Sequence, residues 1–219
     1  MDRDKDLATI EYEGWRLIEL CRRTPERVVP QYPTWTMRDL AVHVAEVHGR
    51  TAVICETLPT ERISGPDLPA DEDPFDWAAE QLARMLEGLA MADPGAHVWT
   101  FVDDPSLGFW IRRMVVETGV HRWDAHSAVG EPVELLTGVS AHGLDEFSEL
   151  YLPRLGDVQT IELTATDLGR SWRYGDGEPA IRIEGEASDL FLRLMSRPGT
   201  ALPRAWEQAV DALGSPADR

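Results

Sequence analysis

Three features of the sequence predict a mainly α fold, a four-helix bundle followed by a small α+β domain. Apolar residues recur at helical spacing through most of residues 1–155. Proline- and glycine-rich breaks cut that pattern into pieces of ordinary helix length. Past Gly156 short β-rich runs take over. The expected domains are therefore 1–155 and 156–219.

The first helix is read over 6–23, where Leu7, Ile10, Gly14, Leu17, Ile18 and Cys21 form one stripe. "TPERVVPQYPTW" ends it with three prolines. Thr36 and Asp39 then stand at capping-box spacing, marking the start of a second helix that runs to about residue 58. A Pro- and Asp-rich loop separates it from a third helix over 75–92, closed by "DPG". The fourth is expected from Leu107 to Val129 and stops before "GEP"; the fifth covers 137–155. Beyond it, "VQTIELTAT" and "PAIRIEGE" read as strands, with hairpin-like turn signals in the intervening "SWRYGDGEP". Two short helices follow, "ASDLFLRLMSR" with Ser188 or Asp189 near its cap, and "PRAWEQAVDAL". The terminal "GSPADR" is expected to fray.

Composition excludes several function classes. A net charge of −18 over 219 residues disfavours nucleic acid as a partner, because phosphates select basic surfaces. Lys5 is the only lysine. No apolar run approaches the roughly 20 residues that span a bilayer, so no membrane partner is expected. The charged "MDRDKDLATI" has no signal-peptide core, and a cytoplasmic location is expected. Cys21 and Cys55 lack CxxC spacing and read as small buried hydrophobes rather than a disulfide or zinc motif.

The chemistry concentrates in the fourth helix. Trp110, Met114, Glu117, His121, Asp124 and Ala128 share a stripe at spacings of three and four, flanked by Val115, Val116 and Val120. A lone buried carboxylate costs several kcal/mol or takes up a proton. A cation beside Glu117 removes that cost, and a metal ion held with the His121 imidazole is one such cation. The plainer alternative is a helical i,i+4 pair worth about 0.2–0.5 kcal/mol. On the second helix His43 lies within the apolar stripe of Leu40, Val47 and Ile54. His48 points away from it, and His97, His126 and His142 have no recruiting spacing. Two imidazoles and a carboxylate suit Zn²⁺ with a fourth position open, and also Fe²⁺ or Ni²⁺. Asp124 either orients an imidazole N–H of His121 or pairs with Arg112, Arg113 or Arg122.

The segments "YPTWTMRDLAVHVAEVH" and "FWIRRMVVETGVHRWDAHSA" resemble the "PGWTVRDLxxHLxxVH" and "RRxxxExxVHRWDA" patterns of the mycothiol-dependent maleylpyruvate isomerase family, a branch of the DinB-like metalloproteins. "LDEFSELYLPRL" and "IEGEASDLFLRLMSR" extend the resemblance over most of the chain. It implies a DinB-like four-helix bundle binding metal and thiol, with a small C-terminal domain. The family's metal ligands fall on His43, Glu117 and His121, the same trio, with zinc the usual ion. The implied cosubstrate is mycothiol, a small thiol of actinobacteria, activated as a metal-bound thiolate. The thiolate adds to a small electrophile such as maleylpyruvate; rotation and loss of the thiol complete isomerisation, and relatives use S-transfer. The family's arginine from the C-terminal domain corresponds best to Arg197, with Arg182 as rival. Thr164 occupies a position that relatives often fill with histidine, which puts the isomerase activity itself in question. Trp35 and Trp123 are expected in the pocket wall or the core. A metal-dependent hydrolase and a non-catalytic thiol- or ligand-binding module are the alternatives. Substrate and oligomeric state stay open.

Overall fold

The computed structural model describes residues 2–131 and 133–213. The chain divides into two compact units, Met1–Val133 and Glu134–Arg219. The fold is mainly α with a small α+β part.

The first unit is built on four long helices: α1 (Arg3–Arg23), α2 (Met37–Thr57), α3 (Pro74–Met91) and α4 (Leu107–Val129). Helix α2 packs on α3 and α1 on α4, with further α1–α3 and α2–α4 contacts. Local chemistry sets the helix ends. Thr36 and Asp39 form a reciprocal capping box at the start of α2. The Asp73 side chain accepts from the Phe75 and Asp76 amides, ahead of Pro74 at the first helical position of α3. Gly130, with φ of 74°, closes α4 in the left-handed region. Gly14 lets α1 approach α3 closely, since a Cβ there would lie 2.7 Å from Leu82 Cδ2. Between Leu107 and Ala125 almost every residue of α4 is buried, so this helix is the axis of the core.

A short antiparallel hairpin, β1 (Val28–Val29) and β2 (Tyr32–Thr36), leads into α2. The three prolines predict only a break here; the structure turns the chain at Pro30 and keeps Pro33 within a short two-stranded ribbon that α2 continues.

In the second unit α5 (Thr137–Glu146) runs into a π-turn over Phe147–Tyr151 and a 3₁₀ turn over Leu152–Arg154. Strands β3 (Ile161–Ala165), β4 (Arg170–Tyr174) and β5 (Ile181–Gly185) form a sheet ordered β4-β3-β5, antiparallel on one side of β3 and parallel on the other. Helices α6 (Ala187–Leu194) and α7 (Arg204–Ala212) follow. Two expectations differ. Arg170–Tyr174 is a strand rather than part of a turn: the hairpin bend falls at 166–169, and Asp176-Gly177 lies in the connection to β5. The N-cap of α6 is Glu186, with Ser188 two positions further in, its Oγ accepting from the Leu135 amide.

The fifth helix, placed with the bundle from its sequence, groups with the second unit. The Tyr174 hydroxyl donates to the Leu144 carbonyl at 2.6 Å, and Trp172 Nε1 donates to Asp145 at 2.8 Å. Gly143 leaves room for the Phe191 ring, which a Cβ would meet at 2.3 Å. The segment 214–219 lies outside the described residues. Among the described residues no helix is long and apolar enough to cross a membrane.

Candidate metal centre

Helices α2 and α4 run antiparallel where they touch, and their contact line carries the polar chemistry of the bundle. His43 Nε2 lies 3.3 Å from Glu117 Oε1, and His121 Nε2 lies 3.2 Å from the same oxygen. One ligating atom from each of the three residues falls within 4.8 Å of the others. Donors bound tetrahedrally at about 2.0–2.1 Å from a zinc ion stand about 3.3 Å apart, so the two measured separations suit a shared small cation.

Two further groups fix how the donors face. Arg113, one turn before Glu117, holds the other carboxylate oxygen, Oε2. Glu117 therefore presents a single oxygen toward both imidazoles. Asp124 Oδ2 stands 3.1 Å from His121 Nδ1. With the Nδ1 proton held there, displacement of the Nε2 proton leaves a lone pair directed at the cluster, the tautomer a metal needs. Of the partners expected for Asp124, His121 is thus in place; Arg113 engages Glu117, Arg122 engages Glu13, and Arg112 lies 3.6 Å from Asp104.

The electrostatics follow. Burial works against charge on Glu117, but Arg113, His121 and hydrogen bonds from both imidazoles outweigh it, and its pKa lies well below 4.5. Burial likewise opposes charge on His121; Tyr32, Glu117 and Asp124 overcome it and raise the pKa to about 10. In the metal-free chain a proton supplies the positive charge that this buried carboxylate pair requires. A divalent cation is the natural replacement.

The β1–β2 hairpin walls the cluster with aromatic rings. Tyr32 and Trp35 stack at 4.6 Å; Trp35 lies 5.0 Å from the His43 ring and Tyr32 lies 5.9 Å from that of His121. Trp35 thus contacts the site, whereas Trp123 is buried in the bundle. Two contributors escaped the sequence reading. Tyr32 sits in the Pro-rich stretch that hid the hairpin; Arg113 was considered only as a partner for Asp124, although its i,i+4 spacing to Glu117 was the available signal.

Arg197 lies buried in the second unit, its Nη1 donating to the Met195 carbonyl at 2.7 Å. Arg182 is exposed on β5 and pairs with Glu162 at 3.1 Å. Thr164 Oγ1 meets Ser171 Oγ at 2.9 Å.

A helical bundle that turns two imidazoles and a carboxylate of adjacent helices toward one point defines a class: helical proteins with a built three-donor site. Residues 13–126, over half of the chain and including all three donors, match the mycothiol maleylpyruvate isomerase N-terminal domain family, and the chain belongs to it. Among solved structures it is similar to a crystal structure of the mycothiol-dependent maleylpyruvate isomerase (TM-score 0.69) and to one of a mutant of that enzyme (0.68). Each is 12% identical, with 93% of this chain and 95% of the other covered. At that identity the likeness establishes the fold. No curated protein sequence matches.

Proposed function

We propose that this chain is a metal-dependent enzyme that uses mycothiol to isomerise, or to transfer sulfur to, a small electrophile. Family membership supports the thiol dependence, and the structurally similar enzyme is by its own description mycothiol-dependent. The observation that carries the metal is the shared Glu117 Oε1, 3.2 and 3.3 Å from two imidazole nitrogens inside a buried core.

The residues divide the labour. His43, Glu117 and His121 hold the ion, with Zn²⁺ the best match to the donor set. Arg113 prevents Glu117 from chelating through both oxygens, and Asp124 fixes the His121 tautomer. Tyr32 and Trp35 cover the imidazoles and restrict water. When bound, the ion acts as a Lewis acid that lets a thiol ionise at neutral pH. That sulfur has to be brought in. Burial raises the Cys21 pKa to about 12 and that of Cys55 to about 11, so neither protein thiol is a nucleophile. Residues 1–155 are proposed to supply metal and thiol binding. Arg197 is proposed as the C-terminal unit's cationic contact for an anionic substrate.

Metal analysis followed by calorimetry with mycothiol tests the proposal. Stoichiometric metal together with thiol affinity is expected. Metal without thiol affinity would favour a hydrolase, and neither would favour a binding module.

A further inference from the structure

Two helical turns after His43, the same face of α2 presents Arg50, and two turns before Glu117 the facing stretch of α4 presents Trp110. The Arg50 guanidinium carbon lies 5.8 Å from the centroid of the Trp110 ring and 5.8 Å from that of Phe101. Its Nε is buried without a hydrogen-bond partner, and Arg50 forms no hydrogen bond or ion pair with any described residue. Aromatic contacts orient a guanidinium and offset part of its desolvation, but they leave its in-plane donors unused. Arg50 is only partly buried, but its Nε is sealed from solvent with no acceptor, a lost hydrogen bond that an entering anion would restore.

We propose that Arg50 is the anion-binding residue of the helical unit and takes a carboxylate of the small electrophile. The assignment rests on the thiol-dependent function proposed above. The guanidinium packs beside Trp110, seven residues or about 10 Å along α4 from Glu117, so one carboxylate held there leaves the rest of a short dicarboxylate free to extend toward the ligand cluster. The surrounding field suits an anion. Burial acts against the charge of Arg50; Glu117 supports it, Arg113 and Arg62 add positive charge, and Glu46 supports it again. In a chain of net charge −18, a local group of arginines is what lets a dianion enter. One planar fork matches one carboxylate in two parallel hydrogen bonds.

The test is calorimetric titration of maleate into the zinc-loaded, mycothiol-saturated chain, so that the metal's open position is already taken. Arg50→Met keeps an aliphatic side chain at this position, and Arg50→Lys keeps the charge. Arg50→Met should retain metal stoichiometry and mycothiol affinity but bind maleate at least tenfold more weakly, with Arg50→Lys between it and the wild type. Unchanged maleate affinity in Arg50→Met, or no maleate binding by the wild type, would overturn the assignment while leaving the thiol-dependent function intact. So would inorganic phosphate binding as tightly as maleate, or a loss confined to mycothiol. Failure of the wild type to take up metal or mycothiol would instead overturn the function on which the assignment rests. Far-UV circular dichroism and melting of both variants separate misfolding from loss of the subsite.

Discussion

Arg113 and Glu117 stand one turn apart on α4, and the guanidinium of the first holds Oε2 of the second while Oε1 faces both imidazoles. A buried arginine beside a metal ligand is costly by itself, because its charge repels the incoming cation. What it contributes is geometry: a carboxylate with one oxygen already engaged binds through the other. Arg113→Met should therefore weaken zinc by about 10–100-fold, the usual cost of losing a group that orients a ligand. Competition against a chelating dye reads this directly. Zinc binding as tight as in the wild type would show that Coulomb repulsion outweighs orientation.

Asp124 acts through His121 Nδ1 at 3.1 Å. Asn at this position can still accept the N–H, so Asp124→Asn should lose less zinc affinity than Asp124→Ala. The expected ordering is wild type, then Asn, then Ala, with the Ala variant about 10–100-fold weaker. Equal affinities for all three proteins, with unchanged melting, would remove Asp124 from the site.

How much of this was legible in the sequence depended on the range of the interaction. The ends of α4 and the capping box of α2 follow from neighbours within four residues, and they were read at or near their observed positions. The spacing of Glu117, His121 and Asp124 is equally local. His43 could only be suspected from one helix, because its approach to Glu117 spans 74 positions. Trp35 is a candidate from the sequence, but Tyr32 and the hairpin that carries both rings are obscured by Pro30 and Pro33, since the hairpin is held by α2 and α4 rather than by strand propensity. Strand β4 is hidden in the sequence because Asp176-Gly177 is a strong hairpin signal that here serves the crossover from β4 to β5, two strands that are not neighbours in the sheet. The grouping of α5 was missed for the same reason as the unit boundary: Tyr174 and Phe191, which cover it, lie 30 or more residues away.

The metal assignment makes a spectroscopic prediction. His43→Ala and Glu117→Gln should each lose stoichiometric metal, Glu117→Gln keeping the side-chain shape while removing the charge. In the Co²⁺-substituted wild type, mycothiol should produce a sulfur-to-metal charge-transfer band that a non-thiol analogue does not. Full metal content in both variants would refute the ligands. A metal-loaded protein without the band at saturating thiol would refute the thiol role alone.

His48 carries a prediction about acid stability. The residue is fully buried, its Nε2 lies 2.9 Å from Thr118 Oγ1, and its Nδ1 has no hydrogen-bond partner. Burial depresses its pKa from 6.5 to about 3, so the imidazole is neutral in the fold. Above pH 6.5 neither the folded nor the unfolded state binds the proton, and this contribution to stability is fully present. As the pH falls below that value the unfolded chain takes up a proton that the folded chain refuses until about pH 3, so stability falls. For one group the loss is about 1.4 kcal/mol per pH unit, or about 2 kcal/mol between pH 7 and 5. Urea unfolding of the metal-free chain should show wild type losing about that much more than His48→Gln over this interval. The other titrating groups are common to both proteins and cancel in the difference. If the two stability curves run parallel from pH 7 to 5, the imidazole titrates alike in both states, and His48 is not held neutral by the fold.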